Sequence, residues 1–313
     1  FADPWLNPTF DPQKRVVLDQ LLSGELEFMA VATHVSLALQ DSFIFQWARH
    51  LLGLGEAARM PPLFQYVLLG NRQAPAYEYS LEQTRALARR LRAVTGQAAT
   101  PERLAEAIVV VNRARAAIRE LNVHRRAGRV SGVDSLTATA AFRFLPPEMF
   151  SEALSAYSAE VAKAPVRKGP KTIAVSAWKL SDTHLHSVLE DGGLNVVGED
   201  DAWGARAGTA DIALEGDLME QVFRHYHLTT PNRATYPATT RFAWLYEEAA
   251  KPDVDVVAFY MPPSDRSLGW DYPRLFDHFE ALGKKVIKLR LDVERPEDRQ
   301  SAIDAIRRAV KAF

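Results

Sequence analysis

From about residue 172 onward the chain alternates short β-branched runs with amphipathic helical stretches. Strands are predicted at 172–176, 194–197, 254–259 and 285–290, and helices at 182–191, 212–227, 239–250, 271–282 and 296–312. Parallel neighbours cannot be joined by a tight turn and need a crossover, which a helix supplies while covering the sheet face. The C-terminal half is therefore expected to be a doubly wound, mostly parallel α/β unit.

Upstream the pattern differs. Pro4, Pro8 and Pro12 punctuate the first stretch, and strand candidates at 27–33 and 64–69 flank a helical stretch at 39–52. Ser80 and Gln83 read as a capping box opening a helix that Gly96 ends. Thr100 as N-cap and Pro101 at the first helical position restart it, with Leu104, Ile108, Val111, Ala114, Ile118 and Leu121 as its stripe. A third helical segment is expected at 147–163. Segment 164–170 holds Pro165, Pro170, Gly169 and two cations, which makes it the linker candidate. The expected organisation is two α/β domains, 1–164 and 165–313, both doubly wound, with a helical insert at about 80–163 in the first. A length of 313 residues suits two domains.

Charge excludes some functions. Lys and Arg number 38 against 39 Asp and Glu, a net −1 without the basic excess that nucleic-acid or membrane-surface binding requires. The one dense basic cluster, 124–129, reads as the solvated exit of a helix. The longest apolar runs, such as 256–261, fall far short of the roughly 20 residues of a membrane span. The first residues lack the basic-then-apolar order of a secretory signal, so a cytoplasmic location is expected. No Walker loop, dinucleotide fingerprint or nucleophile elbow is present.

The cysteine count is zero. That removes disulfides, thiolate nucleophiles, Cys-ligated zinc and any ordinary iron–sulfur cluster. Two histidine pairs, His184/His186 and His225/His227, could chelate from a strand, where i and i+2 share a face. On a helix such rings diverge by roughly 200°, so no metal is expected.

In an open parallel sheet, ligands sit outside the carboxyl ends of the strands. Those ends supply His34, Ser176, Trp178, Asp200, Asp201, Trp203, Ser264, Asp265 and Asp292, with Arg206 and Arg233 on nearby loops. The set would suit an anionic, partly aromatic or acyl ligand. The plainer alternative is polar loops, with Trp178 or Trp203 capping the sheet core.

Several segments, in order, resemble the 2-hydroxyacyl-CoA dehydratase / benzoyl-CoA reductase family. They are the helical residues 79–113 with Gly96, Ile108, Asn112 and Arg113; the run 168–176; Gly192 to Val197 with Asp200, Asp201, Gly204 and Arg206; and the strands at 254–259 and 283–292. The resemblance implies reductive, oxygen-sensitive chemistry on CoA thioesters, in a heterodimer fed by an ATP-dependent activator. It also implies a [4Fe–4S] cluster held by cysteines at strand ends. Here the matching positions carry Gln40 beside Asp41, Asn232, and Ser264 beside Asp265.

Three readings follow from the resemblance. In the preferred one the chain is a cluster-free subunit, paired with a homologous chain (a heterodimer rather than a homodimer) that alone could hold a [4Fe–4S] cluster, with an acyl-CoA thioester as ligand. In the second, the vacated cavity has been put to a non-redox use. Asp41, Asp200, Asp201 and Asp265 would then be acid/base groups, Arg206 and Arg233 anion clamps, and Trp178 and Trp203 the lining. In the third the chain is purely structural. Under the first reading the purified chain alone contains no stoichiometric iron or zinc, which elemental analysis of an anaerobic preparation checks.

Overall fold

A computed structural model of the protein describes residues 2–7, 10, 12–36, 39–57, 59–176, 180, 182–201, 203–230, 235–263, 265 and 267–311. In chain order the elements are α1 (Pro12–Ser23), β1 (Ala32–Ser36), α2 (Leu39–Gly53), β2 (Leu63–Val67), α3 (Ala74–Thr95), α4 (Pro101–Arg126), α5 (Gly132–Ala140), α6 (Pro147–Val161), β3 (Lys171–Ser176), α7 (His184–Asp191), β4 (Asn195–Glu199), α8 (Leu218–Arg224), α9 (Ala238–Arg241), α10 (Ala243–Ala250), β5 (Val256–Tyr260), α11 (Leu268–Ala281), β6 (Lys285–Leu289) and α12 (Pro296–Val310). Short 3-10 turns lie at Ala141–Arg143 and Ala205–Gly208, and a π-helical turn at His225–Thr229. No helix among the described residues is long and apolar enough to cross a membrane.

The fold is α/β, and it divides into two compact units. The first comprises Phe1–Leu104, Glu215–Leu228 and Ala234–Pro237; the second comprises Ala105–Leu214, Thr229–Arg233 and Ala238–Phe313. In the first unit β1 and β2 pair in parallel from Ala32↔Leu63 to Ser36↔Val67. Among the described residues this sheet has two strands, not the doubly wound sheet expected of both halves. Leu18 and Leu21 of α1 pack with Ile44 and Ala48 of α2. The first strand sits later than the expected 27–33, and Phe28 within that range is exposed. Helix α3 likewise begins at Ala74, not at Ser80. Ser80 is fully buried inside it, and its hydroxyl accepts the Leu69 N–H at 3.1 Å, so the capping box does not form. Gly96 does close α3, and the Thr100 hydroxyl accepts from Arg103 N at 3.4 Å at the start of α4.

The second unit holds the sheet that the alternation predicts. Its order is β4-β3-β5-β6, all parallel. Successive side chains point to opposite faces. On one face Ala174, Val196, Val256 and Ala258 meet Leu185, Val188 and Leu189 of α7 and Ala302, Ile303 and Ile306 of α12. On the other, Ile173, Val175, Val257 and Phe259 meet Leu245 and Ala249 of α10 and Leu275 and Phe279 of α11. Burial on both faces explains why β5 reads as a continuous apolar run.

The division between units falls inside α4, at Leu104/Ala105, and not at 164–170. The physical cause is that the C-terminal half of α4 belongs to the second unit's core. Ala114, Ile118 and Leu121 pack with Val130, Phe150 and Leu154. Helix α5, which carries no strong apolar stripe and was not anticipated, is N-capped by Ser131, whose hydroxyl accepts from Asp134 N at 2.9 Å.

The amino ends of the strands are closed by charge. Arg126 bonds Glu248 at 3.0 Å and also Asp253, which in turn accepts from Lys171 at 3.1 Å. Lys284 Nζ donates to the Lys251 and Val254 carbonyls at 2.8 Å each.

Packing is tight where α7 ends against α12. A Cβ on Gly192 would lie 2.4 Å from Ile306 Cγ2, whereas one on Gly53 would meet nothing within 4 Å. Gly192→Ala is therefore expected to lower unfolding free energy by about 1–3 kcal/mol, the usual range for overpacking. Gly53→Ala should stay within about 0.5 kcal/mol. Urea denaturation of both variants measures the difference.

Candidate functional site

The carboxyl end of β4 gathers the most unusual side chains of the second unit. Its geometry begins with a register slip. Thr172 pairs with Val196 but Ile173 pairs with Gly198, so β4 carries one extra residue at Val197. Strand residues that pair share a face. Gly198 therefore shares the α10/α11 face of Ile173, and Glu199 shares the α7 face of Ala174. Without the bulge every residue beyond it would face the opposite way.

On that face Glu199, with no exposed surface, meets Arg125 of α4 and His186 of α7, both equally buried. Arg125 Nη2 donates to Glu199 Oε2, His186 Nε2 lies 2.9 Å from the same oxygen, and Arg125 Nε donates to Val196 O at 3.0 Å. Glu199 Oε1 accepts the Ala205 N–H at 2.5 Å. The backbone at Gly204 comes so close that a Cβ there would lie 1.6 Å from Oε1. Burial opposes ionisation of Glu199, but the Arg125 charge and the His186 contact outweigh it and hold the carboxyl well below the usual range.

The next two residues behave in the opposite sense. Asp200 and Arg206 form a buried ion pair at 2.8 Å, yet burial lifts the Asp200 carboxyl above its ordinary range, with Arg206 countering it in part. Asp201 accepts the Trp203 N–H at 2.7 Å and the Leu180 N–H at 3.0 Å. Burial pushes it up to about 6, against the pull of those two amides and with the Glu199 charge adding to the rise. Arg206 Nη2 is buried and has no hydrogen-bond partner among the described residues. Trp203 lies edge-on to Phe144 at 5.9 Å, with the Arg143 guanidinium 5.9 Å from its ring centre. The turn thus combines a carboxyl that exchanges its proton near neutral pH, an uncommitted guanidinium N–H and an aromatic flank.

The other candidates fare differently. Asp265 is engaged as a helix cap, accepting the N–H groups of Ser267, Leu268 and Gly269 at 3.1, 3.2 and 3.0 Å at the start of α11. Asp41 lies in the first turn of α2, in the first unit, buried and paired with Lys14; burial pulls the nearby His34 below its ordinary value. Trp178, Asn232, Arg233 and Ser264 fall outside the described residues, as does the side chain of Gln40.

Histidine geometry follows from the helices. His186 points into the core and His184 outward, so the first pair does not converge. His225 and His227 are both buried in the π turn, and His227 stacks on Phe223 at 5.1 Å. Among the described residues no three His, Asp or Glu side chains converge in a way that could hold a metal. Arg125 corrects the reading of 124–129 as a solvated exit, since it is the most deeply buried cation of that run. The signal that could have found Glu199 was one acidic residue closing an otherwise apolar strand.

Residues 47–313, from within α2 through α12, match the family model described as 2-hydroxyglutaryl-CoA dehydratase, D-component. The chain belongs to that family. No individually curated protein matches it. The match takes in every strand from β2 to β6, and with them the whole Glu199–Arg206 turn of this D-component family member.

The Asp201 carboxyl makes stability depend on pH with a defined sign. Its folded-state value, about 6, lies above the ordinary value of about 3.9 of an unfolded chain, so the native state holds the proton more tightly. Stability contributed by the protonated form is present below about pH 4 and is lost as pH rises through 6, a change of roughly 3 kcal/mol. Urea melts between pH 4 and 7 should show this decline in the wild type and a flatter profile in Asp201→Asn.

Proposed function

We propose that this chain is a cluster-free subunit of a 2-hydroxyacyl-CoA dehydratase- or benzoyl-CoA reductase-like complex acting on acyl-CoA thioesters, and that a homologous chain supplies the [4Fe–4S] cluster. The observation that carries this reading is the absence of any cysteine from a chain whose residues 47–313 fit the family. Cluster iron is held by thiolates, whose soft sulfur donates charge to it. The carboxamides of Gln40 and Asn232 and the hydroxyl of Ser264 are poor substitutes. The donor set does not fit the cluster, and no step through it is assigned to this chain.

What this chain contributes, in this reading, is the turn after β4. Arg206 Nη2 donates a hydrogen bond to a substrate oxygen, Asp201 exchanges a proton near neutral pH, and Trp203 flanks the acyl group. The ion pair of Arg206 with Asp200 leaves that donor on a neutralised pair, which favours a carbonyl or hydroxyl oxygen over a second carboxylate. The same features support a second reading, in which the turn works on a non-redox substrate without a partner.

Co-expression with a homologous, cysteine-containing chain separates the two. The expected result is a one-to-one complex by light scattering, burying more than about 1,000 Å², with iron only in the partner. Arg206→Ala should lower turnover by the complex at least tenfold. A monomer that pairs with no homologue but is stabilised by acyl-CoA thioesters favours the second reading. Stoichiometric iron in this chain alone, or full activity in Arg206→Ala, overturns the first.

A further inference from the structure

We infer that Glu199 is a positioning residue: its buried carboxylate, fixed by Arg125 and His186, pulls down the backbone at Ala205 and so sets how the following turn presents Asp201 and Arg206. The inference rests on the proposed role of that turn, but not on the identity of a partner chain or of a substrate.

Three separate irregularities serve this one contact. The bulge at Val197 gives up regular pairing and turns Glu199 towards α7. Gly204 carries no side chain at a point where any Cβ would overlap the carboxylate. Arg125, a long cation near the end of α4, is buried completely to reach it. A buried ion pair is weak evidence for stability as such, because apolar side chains of similar volume often replace one without loss. An apolar trio at 125, 186 and 199 could pack α4 and α7 on β4. It could not accept the Ala205 N–H, which is the first residue of the 3-10 turn that carries Arg206.

The carboxylate is also fully engaged. Oε2 takes Arg125 and His186, and Oε1 takes Ala205. Each donor comes from a different segment, so the position of Oε1 is fixed from behind before the turn meets it. The charged and titratable groups around it are Arg125 and His186 on the core side and Asp200, Asp201 and Arg206 on the turn side.

The test uses NMR on the full chain. In the wild type the Ala205 amide should exchange with solvent as slowly as those of Val257 and Phe259 in β5; exchange a hundredfold faster overturns the inference, whether or not any variant folds. Gly204→Ala should lift the turn off Oε1 while leaving Arg125, Glu199 and His186 together. Glu199→Gln removes the charge. Both should speed Ala205 exchange at least tenfold and lower the carboxyl-carbon titration midpoint of Asp201 by half a pH unit or more. A lower melting temperature with the Asp201 midpoint unmoved would mean a merely structural role and would sink the proposal. If the midpoint moves in Gly204→Ala but turnover by the complex does not, positioning stands and the assigned role of the turn in the reaction fails.

Discussion

A carboxylate shut away from water must be neutralised where it stands, and Glu199 organises the second unit through that requirement. Arg125 cannot be removed without leaving an unpaired buried charge, a loss of about 3–5 kcal/mol in comparable pairs. Through Glu199 Oε2 helix α4 is thereby tied to β4, and His186 ties α7 to the same atom. This is why the unit boundary runs through α4: the helix serves the sheet from its C-terminal half, whatever its N-terminal half packs against.

Much of the sheet was legible because its strands are buried on both faces and its helices show a clean apolar stripe. The runs at 172–176, 254–259 and 285–290 differ from β3, β5 and β6 by at most a residue or two at their ends. The capping box at Ser80 failed for a specific reason. The residue types that cap a helix also satisfy a buried backbone N–H from inside one, and sequence alone does not say which N–H is near. The bulge in β4 was invisible, since an extra residue leaves no compositional mark and only shifts which face the later side chains occupy.

The candidate site divides along the same line. Asp200, Asp201, Trp203 and Arg206 were singled out by their place at a strand end, which topology controls, and they lie together in the turn after β4. Asp265 was singled out by the same rule and caps the start of α11, because strand ends and helix starts alternate and both attract acids. What separates Asp201 from Asp265 is the environment. Asp201 is closed off from water with two amides and a neighbouring negative charge, while Asp265 faces the N–H groups of a helix start. The missing cysteines needed no structure to be seen, and they narrow the chemistry more than any residue present.

The charged closure at the amino ends of the strands has an evolutionary consequence. Arg126, Asp253, Lys171 and Lys284 secure one edge of the sheet, and the two apolar cores secure its faces, so that at the opposite edge the scaffold calls on the Glu199, Arg125 and His186 trio. Residues at the carboxyl edge outside that trio can therefore drift while the scaffold persists. A lineage built this way can exchange side chains around that trio and still inherit a folded unit.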